Sequence, residues 1–146
     1  MYKIKNSYID SMIKQKTTSK EIDFLLYIAS FQDEYGMVNS VYYKDVCDSI
    51  GCSVQTFYDV LESLRNKGLI SYTKLNAADI SVTFLDNDFS ARDYSCGYLK
   101  VASKNFQDKK FRDLKAGSKL LYLYMQRFVK GRHMLVAEFY SRFCEL

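Results

Sequence analysis

Proline and tryptophan are both missing from this chain, glycine occurs six times and histidine once. Without proline, turns and helix ends must be set by glycine and by capping side chains, so Gly36, Gly51 and Gly68 become the natural breakpoints. The single histidine, His133, has no cysteine or carboxylate at a ligand-like interval, and the four cysteines (Cys47, Cys52, Cys96, Cys144) show no C-x-x-C spacing. That excludes the common zinc patterns and leaves the cysteines as small apolar core residues of a reducing compartment. There is no Gly-rich phosphate loop, no G-x-S-x-G and no H-E-x-x-H. The paired carboxylates Asp33-Glu34 and Asp86/Asp88 fall at expected helix ends or turns, where capping explains them. No enzyme activity, metal or cofactor is therefore expected. No apolar run approaches the roughly 20 residues that cross a bilayer. The opening MYKIKNSYIDSMIKQK lacks the apolar core and cleavage site of a signal peptide, so a cytoplasmic protein without membrane contact is expected.

What is present is apolar and aromatic. With 146 residues, 48% of them apolar and 26% charged, the chain suits one compact domain or two small ones. Thirteen tyrosines and ten phenylalanines point to an aromatic-rich core. Charge is uneven: residues 1–73 hold eight Lys/Arg against nine Asp/Glu, whereas residues 74–146 hold thirteen against eight. From Lys100 to Arg132 there are ten cations and two anions, a basic face able to attract phosphate or a solvated lysine-rich surface.

After a short polar lead-in, TTSKEIDFLLYIASFQDEYG predicts an amphipathic helix from about Ser19 to Tyr35. Thr18 or Ser19 would cap it, and Gly36 would stop it. MVNS is a short extended piece. VYYKDVCDSIG follows as a helix with Val46, Cys47 and Ile50 inward, closed by Gly51. Ser53 then caps a second helix whose stripe is Phe57, Val60, Leu61 and Leu64, ended by Gly68. A connection this short forces a steep crossing, the helix-turn-helix geometry. LISYTKL and ISVTFLD, separated by NAAD, predict a hairpin.

This order, over roughly residues 18–86, resembles the winged helix-turn-helix domains of bacterial regulators and replication initiators. LESLRNKGLISY is similar to the ending of their recognition helix, L-x-x-L-x-x-K-G-L-I. The fold expected is mainly α with a small β-hairpin: a winged helix-turn-helix over residues 1–90, then a helical half-repeat over 91–146.

The half-repeat comes from matching the chain to itself at an offset of 97, where Lys3 meets Lys100, Tyr27 meets Tyr124, Phe31 meets Phe128, Met37 meets Met134, Tyr43 meets Tyr140 and Cys47 meets Cys144. The matches fall on positions a core would use. DLKAGSKLLYLYMQRFVKG then reads as a first helix, HMLVAEFY as a small strand and SRFCEL as the first turn of a second helix, a truncated winged-helix-like segment. YLKVASKNFQDKKFRDLKAGSKLLYLYMQRF also resembles the opening of RepA-type plasmid replication initiators, through Lys100-Val101, Asp108, Phe111, Leu114 and Lys119-Leu120-Leu121-Tyr122. Ala102 stands where that family tends to have proline. The resemblance implies kinship with proteins of plasmids, phages or other mobile elements.

With Ser53 as cap, Val54, Gln55, Thr56, Tyr58 and Asp59 lie outward on the part of the helix that enters a major groove. Gln55 suits adenine, and the Thr56 and Tyr58 hydroxyls suit phosphates or base edges. Lys44, Arg65, Lys67 and Lys74 are candidate phosphate contacts, with Asn76 on the approach to the wing. Lys100, Lys104, Lys109, Lys110, Arg112 and Lys115 form the candidate basic patch. Leu120, Leu121, Tyr124 and Phe128 are the candidate dimer seam, with packing onto the first half in cis as the alternative. Asp59 and Glu62 count against phosphate binding unless neighbours compensate them. The function expected is sequence-specific binding of double-stranded DNA by a homodimer, as a transcriptional regulator or a replication or partition factor of a mobile element. The alternative is a winged-helix inhibitor or adaptor that binds a protein partner.

Overall fold

Thr18 starts the central helix of the fold: its hydroxyl accepts from the Glu21 amide while the Glu21 carboxylate accepts from the Thr18 amide, a closed capping box. The computed structural model that shows this describes residues 2–92, 94–101 and 108–128. Along the chain run β1 (Tyr2–Lys5), α1 (Asn6–Lys14), α2 (Ser19–Ala29), β2 (Met37–Tyr42), α3 (Tyr43–Ile50) and α4 (Val54–Asn66). Then come β3 (Ile70–Lys74), β4 (Asp79–Phe84), β5 (Tyr98–Val101), α5 (Lys109–Arg112), α6 (Ala116–Met125) and a 3-10 turn at Gln126–Phe128. The fold is mixed α/β, with six helices among the described residues and small antiparallel sheets, and it includes the expected β3–β4 hairpin.

Three strands pair antiparallel in the order β2-β4-β3. Ile80, Val82 and Phe84 alternate inward along β4, opposite Val41 and Val38 on one side and Ile70 on the other. A bulge between Val38 and Val41 shifts the β2 register. Helix α2 is apolar nearly all round: Ile22, Phe24, Leu25, Leu26, Ile28 and Ala29 are all buried, so it is the hub rather than a surface element. Phe24 meets Phe57 of α4 edge to face with centroids 6.0 Å apart.

Several boundaries differ from expectation. Helix α2 ends at Ala29 and not near Tyr35, because Ser30 Oγ turns back to the Tyr27 carbonyl and Asp33 folds the following residues by accepting from the Tyr35 and Met37 amides. Strand β2 extends through Tyr42, so α3 starts only at Tyr43. The first residues are no polar lead-in: Ile4, Tyr8, Ile9 and Met12 are buried, and the Tyr8 hydroxyl donates to the Leu69 carbonyl at 2.8 Å. The expected strand HMLVAEFY and helix turn SRFCEL lie outside the described residues.

Contacts run across residue 90. Strand β1 pairs antiparallel with β5. Lys119 of α6, with no exposed surface, places Nζ 2.7 Å from Asp23 Oδ1 and 2.8 Å from Ser19 Oγ on α2. Arg127 reaches Asp10 at 2.7 Å. At the offset of 97 positions α2 falls on α6, and Lys3 lies across the ribbon from Lys100, the residue it meets at that offset.

Burial pushes the Asp23 carboxyl above its ordinary range although Lys119 pulls it the other way. The desolvation cost therefore outweighs the attraction, and the two ways of changing the pair should separate. In urea unfolding, Lys119→Met alone should cost about 3–5 kcal/mol by stranding a buried carboxylate, whereas Lys119→Met with Asp23→Leu should regain most of it. A double variant no more stable than the single one would refute this account.

Candidate nucleic-acid interface

The turn between α3 and α4 is built by one glycine. Gly51 adopts φ 69°, ψ 57°, the left-handed conformation, and the amides of Gly51 and Cys52 both donate to the Cys47 carbonyl at 2.9 and 3.1 Å. A Cβ at Gly51 would meet nothing within 4 Å, so glycine is required by the backbone conformation alone. Two cations cover the last carbonyls of α3: Lys20 Nζ donates to Ile50 and Gly51 at 2.9 and 3.1 Å, and Arg112 Nη1 donates to Ser49 at 2.7 Å. Ser53 is extended, and its hydroxyl accepts from the Thr56 amide at 3.1 Å, capping α4 as expected.

Helix α4 buries Phe57, Val60, Leu61 and Leu64 and leaves Val54, Gln55 and Asp59 exposed. Thr56 and Tyr58 are half-buried: Ser53 donates to the Thr56 hydroxyl at 3.0 Å, and the Tyr58 ring packs on Phe57 with Lys74 Nζ over it at 5.9 Å. Strand β3 thus places a cation beside the exposed start of α4.

Both acidic residues of the helix have partners. Gln55 Nε2 donates to Asp59 Oδ1 at 2.9 Å. Glu62 accepts from the Tyr72 hydroxyl at 2.9 Å and from Arg65, whose guanidinium lies 5.1 Å from the Tyr72 ring centre. Hydrogen bonds from Tyr72 and then Arg65 hold the Glu62 carboxyl below its usual range.

The cations divide into exposed and committed. Lys44, Lys74, Lys100, Lys109, Lys110 and Lys115 are exposed. Lys67 is committed: its ammonium lies 2.9 and 2.8 Å from the two oxygens of buried Glu21, which also accepts from Ser63, so it ties the end of α4 to the start of α2. Asn76 is spent on the hairpin turn, accepting from the Ala78 and Asp79 amides at 2.8 and 2.9 Å. Arg112 is anchored on α3, and Lys104 lies outside the described residues. Of the seam residues, Leu120 and Tyr124 are buried within the chain and Leu121 is half-buried; the Phe128 side chain lies outside the described residues.

Sequence reasoning missed Lys20, Glu21, Tyr72 and Arg112 as organisers of this region. Glu21 carried a local signal, its place three residues after Thr18, and Tyr72 acts on the adjacent helix, but Lys20 and Arg112 act across elements distant in the chain. Among the described residues no cluster of His, Cys, Asp or Glu could hold a metal ion, and no helix is long and apolar enough to cross a membrane. No protein-family model matches the chain, nor does any curated protein or solved structure.

Lys67→Ala should lower stability by roughly 2–4 kcal/mol, read by chemical denaturation, because it leaves the Glu21 carboxylate buried without its cation. Glu21→Gln with Lys67→Met should cost less than Lys67→Ala alone. Tyr72→Phe should raise the Glu62 pKa toward its ordinary value in an NMR titration. Because the folded pKa is depressed, the Glu62 contribution is present above the ordinary carboxylate pKa and is lost as pH falls through the folded value. An unmoved Glu62 titration in Tyr72→Phe would contradict the assigned cause.

Proposed function

We propose that this chain binds double-stranded DNA without catalysis, inserting the start of α4 into the major groove with the β3–β4 hairpin beside it as a wing. The observation that carries the reading is the exposed first two turns of α4. Ser53 caps them, their inner face is locked into the core, Val54, Gln55 and Asp59 face solvent, and Lys74 lies over the Tyr58 ring. The order α2–β2–α3–α4–β3–β4, with strands in the order β2-β4-β3, supports a winged helix. The L-x-x-L-x-x-K-G-L-I ending of α4 fits the same reading.

Glu62 is paired with the Arg65 cation and bonded to Tyr72, so it does not meet a phosphate as an isolated carboxylate, while Asp59 keeps its charge and is bonded to the neutral Gln55 amide. The Gln55–Asp59 bond also orients the amide: Oε1 and the remaining N–H can face adenine N6 and N7 together. Lys44, Lys74, Lys109 and Lys110 supply charge for the backbone, and Lys67 drops out of that set. The biological setting we infer is a regulator or a replication or partition factor of a mobile element. A homodimer would read two half-sites.

A second reading rests on exposed aromatics. Phe31 is 61% and Tyr35 52% exposed, and Phe31 borders a groove of about 130 Å³ with Tyr27, Val41, Tyr42 and Val46, which suits a protein partner. Selecting bound duplexes from a random pool, with affinity followed across salt concentrations, separates the two. For DNA binding we expect an enriched motif and a log-linear fall of affinity with salt. Gln55→Ala should relax the preference at one or two positions, costing about 1–3 kcal/mol on the best site, while Lys74→Ala should weaken all duplexes alike. Binding indifferent to salt, with no motif, would overturn the DNA reading and direct attention to the Phe31 groove.

A further inference from the structure

The cap of α3 folds the next residue back over the helix. Because the Gly51 and Cys52 amides share the Cys47 carbonyl, the Cys52 side chain is returned to Cys47. This capping geometry ordinarily brings two apolar side chains together. Here both are thiols, half-buried and so within reach of a small reagent, with their Sγ atoms 3.8 Å apart. A disulfide needs about 2 Å between sulfurs, and rotation of the two side chains is the motion available to close that gap while the backbone bonds hold.

We propose that Cys47 and Cys52 form a thiol–disulfide modification site that closes across the helix-turn-helix joint when the chain meets a small-molecule disulfide. One thiol loses its proton and attacks a sulfur of the small disulfide; that S–S bond breaks, and half of the reagent leaves as a thiolate and takes up a proton. The second cysteine thiolate then attacks the protein-side sulfur of the mixed disulfide, forming the Cys47–Cys52 bond and expelling the other half as a thiol. Two electrons pass from the chain to the reagent, which becomes two thiols.

Burial, together with the neighbouring Cys47 thiol, pushes the Cys52 thiol up to about 11. It is therefore protonated at neutral pH, and because the attack needs a thiolate, closure becomes faster as pH rises. The product encloses only Asp48 to Gly51 and ends immediately before the Ser53 cap. Closure thus fixes the joint on which the pose of α4 depends. This inference is independent of what α4 binds.

The test is mass spectrometry of the folded chain carrying Cys96→Ser and Cys144→Ser, treated with oxidised glutathione at rising pH and then acid-trapped. The expected product has lost two hydrogens, yields a digest fragment joining Cys47 to Cys52, and reverts with reductant. With Cys52→Ser added, the same treatment should leave a glutathione adduct on Cys47. If the double background does not fold, peptide mapping of the native sequence gives the same readout. The proposal is overturned by adducts that persist on both cysteines, or by a folded chain that stays reduced while its guanidine-unfolded form closes.

Discussion

An ammonium group with no exposed surface is tolerated only where every one of its needs is met nearby, and Lys119 is such a group. Asp23 and Ser19 accept hydrogen bonds from it at 2.7 and 2.8 Å, and the face of Phe111 lies 5.5 Å away. Separating these partners would expose a buried charge to apolar surroundings at a cost of several kcal/mol. Helix α6 is therefore pinned to the first turns of α2. Phe111, and with it α5, is carried into place, and from α5 Arg112 reaches the end of α3. A line of forced contacts thus runs from one buried lysine to the joint that aims α4.

The same accounting of charges describes the surface of α4. A basic count along the chain says little about attraction to phosphate, because ammonium groups that hold buried carboxylates are not available to a partner. Lys67, Lys119 and Arg127 each neutralise an acid on another element, whereas Lys74 lies over an aromatic ring and pairs with no carboxylate among the described residues. Acids follow the converse rule: Asp59 and Glu62 look repulsive in one dimension and are engaged in three. Local potential depends on these pairings more than on net charge.

How much of this was legible in the sequence depended on whether the cause was local. Ser53, Gly51 and the Phe57–Leu64 stripe could be read because capping, left-handed turns and helical periodicity are set within a few residues. At an offset of 97, α2 and α6 share a buried leucine, Leu26 and Leu123, but Leu25 and Ile28 are buried where Tyr122 and Met125 are exposed. The end of α2 was missed because Ser30 and Asp33 compete with the helix through side-chain bonds that an apolar pattern does not show. The burial of Tyr8 and Lys119 was missed because their partners lie 61 and 96 residues away. Among the candidate contacts, Gln55 and Lys74 are exposed, whereas Lys67 and Asn76 are occupied by neighbours that spacing alone does not reveal.

The ribbon of β1 and β5 also bears on synthesis. Strand β1 leaves a ribosome before its pairing partner, which is made almost a hundred residues later, whereas β2, α3, α4, β3 and β4 are neighbours in sequence and can assemble as they emerge. At ordinary rates of translation the first strand waits on the order of 5–20 s with open backbone groups. Its sequence suits that wait: Lys3 and Lys5 flank Ile4, and charged side chains on an unpaired edge discourage association with other chains. The lysines of the ribbon thus act as guards during assembly, in the interval before they become part of the finished surface.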